Sequence, residues 1–266
     1  MNKLLSKKNR ALLYELVRTD FKLRYQGSVL GYAWSLLKPL LLFGILYVVF
    51  VKFLRLGGSI PNFPIYLLFG IVLWNFFAEI TSMGLSSVVG RGDLVRKIRI
   101  PRWIIVISSS ISAIINMGLN MMVVGVFIFL SGMDLLSTSI LIPIFVVEIY
   151  IFALGISFFL SAAYVKYRDI SYIWEVCMQA GFYLTPILYP LSLIPNESIQ
   201  KLLLINPLGQ ALQDARYSLV THESTTLHSL FNSYTIYILP LSLVMGSFII
   251  GILYFRKESK TFAENL

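Results

Sequence analysis

Charge is scarce in this chain. Asp, Glu, Lys and Arg supply 13% of its 266 residues, where a soluble domain carries about a quarter. Hydrophobic residues make up 57% and the mean hydropathy is +0.78, so an ordinary water-soluble domain is excluded. Cysteine is nearly missing. The single Cys177 rules out an intramolecular disulfide and a cysteine-built metal site. Signatures of chemistry are missing too: no G-x-x-x-x-G-K-[ST] phosphate loop, no G-x-S-x-G elbow, no H-E-x-x-H and no Cys/His cluster. His222 and His228 alone are too few ligands for a metal site. An enzyme in this chain would have to be assembled from scattered carboxylates. The length suits one compact membrane domain.

What is present is a set of long apolar runs. A spanning helix needs roughly 20 mostly apolar residues. Six runs meet this: Trp34–Phe53, Phe63–Val88, Trp103–Leu130, Ile140–Tyr164, Tyr172–Tyr189 and Tyr234–Phe255. The expected fold is therefore all-α and polytopic, with six transmembrane helices. The first run starts too late for a cleavable leader. Residues 1–33 form an interface helix and hinge, 34–255 the transmembrane domain, and 256–266 a tail.

Basic residues set the orientation. With the N-terminus in the cytoplasm, the inner segments hold 18 Lys and Arg and the outer ones 4. That split places both termini inside. It also explains the net charge of +9 as a basic inner surface facing anionic lipid, without nucleic acid. Over residues 9–25, Leu12, Leu13, Leu16, Val17 and Phe21 recur at helical spacing, while Arg10, Glu15, Arg18 and Lys22 take the other side. This predicts an amphipathic helix lying in the cytoplasmic interface. Gly27 and Gly31 let the chain turn into the first span. Tyr25, Tyr32 and Trp34 suit the headgroup layer. On the outer side, Pro190, Pro195 and Pro207 break residues 190–233 into short re-entrant or interfacial helices.

Three groups of residues invite a role. The inner loop Gly90–Trp103 carries five cations and one acid. Asp93 can cap a short helix over Val95–Arg99, and Pro101 can stop it. This is either a plain positive loop or a docking helix for a cytosolic partner. Phe43, Tyr47 and Phe50 on the first span, and Gln179, Phe182, Tyr183, Pro186 and Tyr189 on the fifth, each share a face. These aromatics either pack or line a path for sugars, whose flat C–H faces suit such rings. Thr185-Pro186 should bend the fifth helix. Glu79, Glu148 and Glu175 lie in or beside apolar runs, where charge is costly. Glu148 is the acid a proton-coupled carrier would need.

Four stretches taken in order resemble a known family: DFKLRYQGSVLGYAWSLLKP (Asp20–Pro39), LLFGIVLWNFF (Leu67–Phe77), GDLVRKIRIPRW (Gly92–Trp103) and YRDISYIWEVCMQAGFYLTPILYP (Tyr167–Pro190). The pair Asn206-Pro207 fits as well. The chain is similar to the ABC-2 type permeases that export O-antigen, capsule, teichoic acid and rhamnan polymers. The stretches RYQGSVLGYAWSLLKP (Arg24–Pro39) and FVKFLRLGGSIP (Phe50–Pro61) look most like streptococcal-type rhamnan permeases.

The resemblance implies a non-catalytic transport subunit in the bacterial cytoplasmic membrane, working as a homodimer with a cytosolic ABC ATPase. ATP and Mg would be bound by that partner, with no cofactor in this chain. The substrate would be a lipid-linked polysaccharide. Asp93, Arg96, Lys97, Arg99 and Pro101 would then form the coupling element. Lys22, Arg24 and Lys38 would receive the lipid pyrophosphate, or else anchor the helix to anionic lipid. Phe43, Tyr47, Phe50, Gln179, Phe182, Tyr183 and Tyr189 would line the substrate path. The alternatives are an ABC-2 exporter of a lipid or small molecule, and a proton-coupled carrier using Glu148.

Overall fold

The computed structural model describes residues 7–24, 28, 30–54, 60–97 and 100–265. Helices and turns form all of it, and no strand occurs among the described residues. Helix α1 (Lys7–Arg24) turns Leu12, Leu13, Leu16 and Val17 inward, with Arg10, Glu15, Arg18 and Lys22 exposed. Its apolar stripe packs on α5. The chain then turns into α2 (Trp34–Tyr47), which continues as a wider π-helical stretch to Phe53. Gly31 has φ of 48° at that turn, a left-handed conformation that glycine adopts without a Cβ clash. Gly27 and Tyr25 lie outside the described residues.

Helix α3 (Phe63–Ser87) is the centre of the bundle. Its apolar window is 78% buried, against 11% for the first spanning stretch and 17% for the last. A helix apolar all round and covered all round is a core helix. A tight turn and the short α4 (Gly92–Lys97) lead to α5 (Trp103–Leu130) and α6 (Ile142–Lys166). Helix α6 lies between α3 and α11 (Ile238–Glu258). Small residues let it approach both. A Cβ on Gly84 would meet Ser157, and one on Gly251 would collide with the Gly155 carbonyl. Close backbone approach at such sites is how apolar helices associate without a hydrophobic driving force.

Among the described residues, five helical stretches are long and apolar enough to cross a membrane: Trp34–Phe53, Phe63–Ser87, Trp103–Leu130, Ser137–Lys166 and Thr235–Thr261. The sixth expected span, Tyr172–Tyr189, is not a continuous helix. Helix α7 (Ile170–Leu184) has 15 residues, about 22 Å at 1.5 Å per residue, short of the roughly 30 Å hydrocarbon layer. It stops because Thr185 precedes Pro186 and takes an extended backbone, with ψ of 136°. A residue before proline is pushed out of the helical region. The helix therefore ends where a bend was expected.

Beyond the break lie α8 (Glu197–Ile205), α9 (Pro207–Leu219) and α10 (Leu227–Phe231). Asn196 caps α8, accepting from the backbone N–H of Ser198 and Ile199. Asn206 caps α9, accepting from Leu208, with Pro207 at the first helical position. The last element is α12 (Phe262–Asn265). Helices α1, α4 and α12 gather at one, basic end of the bundle, and α8 to α10 at the other.

Candidate functional site

The basic end is joined by one ion pair. Asp20 of α1 meets the Arg91 guanidinium, which also donates to Ser108 Oγ at 2.9 Å. One side chain thus ties the surface helix, the inner loop and α5 together. Both partners are mostly buried, and burial lowers the Arg91 pKa, so each charge depends on the other. The expected docking residues lie next to it. Asp93 and Arg96 are exposed on α4, and the helix begins at Gly92 rather than Val95. Asp93 sits in its first turn, where an acid favours the helix dipole. The Pro101 carbonyl accepts the Ile104 N–H as α5 starts. Arg99 and the side chains of Lys97 and Arg24 lie outside the described residues.

Lys38 borders a cavity of about 460 Å³ between α2, α3 and α5. Trp34, Asn75, Glu79, Asn116 and Asn120 share its lining. Asn116 Nδ2 donates to Glu79 Oε1 at 2.6 Å. Lys22 is exposed on α1. The cavity therefore holds one cation, one carboxylate and several amides, a mixture suited to hydroxyl groups.

The aromatic faces divide. Phe43 is buried, edge-on to Phe127 at 5.6 Å, and Tyr47 and Phe50 are half-buried against the same core. Phe182 packs edge-on to Trp74 at 5.7 Å. Gln179 and Tyr183 are exposed, and no residue of α7 is buried within this chain. Tyr189 has a second duty. Its hydroxyl donates to the carbonyls of Tyr183 and Leu184 at 3.2 and 3.3 Å, satisfying the C-terminal end of α7.

The largest departure from the sequence reading is Arg216. Expected in an outer loop, it lies in α9 with no exposed surface. Its guanidinium donates to the carbonyls of Tyr66, Pro186 and Ile187 at 3.1, 2.5 and 2.6 Å. It also lies 3.6 Å from the centre of the Tyr66 ring. A Cβ on Gly70 would collide with it. Burial draws its pKa down to about 10, so it stays charged at neutral pH. The cation thus holds the broken backbone after α7, which apolar surroundings tolerate only when its carbonyls are satisfied.

The opposite face of α9 carries Gln210 and Asp214. Gln210 Nε2 bridges Glu148 and Asp214 at 3.5 and 2.7 Å, and the Tyr237 hydroxyl donates to Asp214 at 3.1 Å. Glu148 lies in the second turn of α6, buried against this helix. Glu175 is exposed on α7, and Arg168 lies over the Tyr164 ring. Each histidine ring packs on a tyrosine, His222 on Tyr217 and His228 on Tyr234. Among the described residues no three metal-ligating side chains gather.

Sequence reasoning missed Asp20, Arg91 and Gly70, whose partners lie far along the chain. Arg216 did leave a signal: Leu208, Ala211, Leu212, Ala215 and Leu219 recur around it at helical spacing.

The described residues thus form a helical, multi-span membrane domain with a basic, ion-paired end and capped helices at the far end. The ABC-2 type transporter family profile matches residues 11–220, and the chain belongs to that family. It is 30% identical over 256 residues to an O-antigen export system permease protein RfbA of Klebsiella pneumoniae, covering 96% of this chain and 95% of that protein. It is 32% identical over 200 residues to an O-antigen export system permease protein RfbA of Myxococcus xanthus, covering 75% and 76%.

Proposed function

We propose that this chain is the permease subunit of an ABC exporter that moves a lipid-linked cell-surface polysaccharide across the bacterial cytoplasmic membrane. The carrying observation is the likeness to an O-antigen export permease across 96% of the chain. O-antigen is the leading substrate class, with teichoic acid and rhamnan polymers as alternatives. The motor is a separate cytosolic ATPase that binds ATP and Mg. Two permeases and two ATPases form the working unit, with both permease termini in the cytoplasm, as the 18 to 4 split of Lys and Arg favours.

Residues 90–103 and α1 rest on the ATPase. Asp93, Arg96, Lys97, Arg99 and Pro101 are the contact surface, and the Asp20–Arg91 pair passes its movement into α5. Lys38, with Lys22 and Arg24, receives the lipid pyrophosphate beside the amide-lined cavity. In the dimer, α2 and α7 of the two copies face each other. The exposure of α7 within one chain supports this. The polymer then slides along Gln179, Tyr183 and Tyr189, each contact weak enough to release. Phe43, Tyr47, Phe50 and Phe182 support that surface from behind.

Co-expression with candidate cytosolic ABC ATPases of the same organism tests the reading. This chain and its ATPase should co-purify, and deleting this gene should leave lipid-linked polymer on the inner face of the membrane. A permease that is stable and active alone, driven by a proton gradient, would overturn it.

A further inference from the structure

A second cavity lies away from the aromatic path and from the Lys38 site. It has a volume of about 840 Å³ and opens between the start of α5, the middle of α6 and the end of α11. Its lining is sharply divided. Ile107, Leu154, Phe158, Phe248 and Ile252 form apolar walls, and all five belong to membrane-spanning stretches. Arg96, Arg102 and Arg256 stand at the basic end of the cavity, and no Asp or Glu occurs among its described lining residues. The Arg102 guanidinium is fixed there, donating to the Ser259 carbonyl and lying 5.9 Å from the centre of the Phe262 ring. Arg96 and Arg256 are exposed.

We infer that this cavity is a binding site for an anionic phospholipid of the leaflet at the basic end. The occupant must be negatively charged at one end and apolar at the other, and it must lie along spanning helices. A soluble protein meets the three guanidiniums but does not reach Phe158 and Phe248. A zwitterionic phospholipid fills the apolar walls, but its own ammonium offsets its phosphate and leaves the three arginines without net compensation. A phosphodiester head group accepts from several guanidinium N–H donors at once, and basic pockets between spanning helices suit such head groups. The bound lipid would brace α11 against the start of α5, beside the loop that carries α4. The assignment does not depend on which molecule the transporter exports.

Trp103 also lines the cavity and provides the probe. The full transporter, permease with ATPase, is placed in phosphatidylcholine nanodiscs and titrated with phosphatidylglycerol brominated in its chains. The fluorescence difference between wild type and Trp103→Phe isolates this tryptophan. Brominated phosphatidylglycerol should quench it at a several-fold lower mole fraction than brominated phosphatidylcholine. Arg256→Gln should remove that preference, and Ile252→Glu, which sets an acid one turn from Arg256, should do the same. Equal quenching by the two lipids would show ordinary boundary lipid and overturn the assignment. Preferential quenching that survives both Arg256→Gln and Ile252→Glu would place the lipid elsewhere and overturn it equally. Retention of the ATPase on the column confirms that each variant is folded.

Discussion

Arg216 shows how one side chain substitutes for a missing secondary structure. The backbone at Pro186 and Ile187 has left the helix, and its carbonyls would otherwise face apolar surroundings. A guanidinium presents five donors in a planar fork, whereas an ammonium presents three from a point. Arg216→Lys should therefore leave at least one carbonyl unpaired. It should destabilise the folded chain by about 1–3 kcal/mol for each such group, read as a lowered thermal midpoint in detergent. Asp214 behaves differently. Burial, outweighing its bonds to Gln210 and Tyr237, raises its pKa from 3.8 to about 6. The fold thus favours the neutral acid. Its contribution is full below the unfolded value and is lost as pH rises through about 6. The thermal midpoint should fall across that window, although Glu148 and Tyr237 face the same group. Asp214→Asn should flatten the change; a slope of unchanged size in the variant would assign it to Glu148.

Among elements, α6 sets the spacing of the bundle. Its contact with α11 depends on Gly155 and Gly251 standing opposite each other, where a Cβ on Gly251 would overlap the neighbouring backbone. Gly246, on the same helix, has open space around it. Gly251→Leu should push the helices apart and sharply lower the yield of monodisperse protein on size exclusion. Gly246→Leu should be tolerated. Equal behaviour would mean that the two helices meet with another register. Helix α7 is the opposite case: it is half-attached and short, and it ends at a proline. Its break was legible as Thr185-Pro186, but periodicity alone reads the apolar residues on both sides as one span. What converts a bend into an end is the set of tertiary partners waiting there, the Tyr189 hydroxyl and the Arg216 guanidinium.

At the scale of the whole molecule, the Asp20–Arg91 pair adds a polar link between the surface helix and the spanning bundle, beside the apolar packing of α1 on α5. Asp20→Asn should leave ATPase binding intact while lowering the polymer exported per ATP hydrolysed. Arg91→Asp combined with Asp20→Arg should recover part of that loss, because the swap restores a buried pair with reversed sign. Failure of the swap with normal assembly would mean that Arg91 acts through Ser108 alone. Reading Tyr183→Ala beside Tyr189→Phe in the same export assay separates ring contact with the substrate from the capping duty of Tyr189.

The sequence by itself determined the class of this protein. Apolar runs of spanning length, the basic bias of one set of loops, the stripe on α1 and the proline breaks in residues 190–233 are all local patterns. Local hydrogen bonding and transfer from water enforce such patterns whatever the rest of the chain does. Only the tertiary structure decided that α3 is the core helix, that Phe43 packs while Tyr183 is exposed, and that Arg216 is interior. Those outcomes depend on partners brought together across the chain: Arg216 meets Tyr66 from 150 positions away, and Arg91 meets Asp20 from 71. A cation in an apolar stretch is costly until such partners surround it, and no local pattern specifies where they will come from.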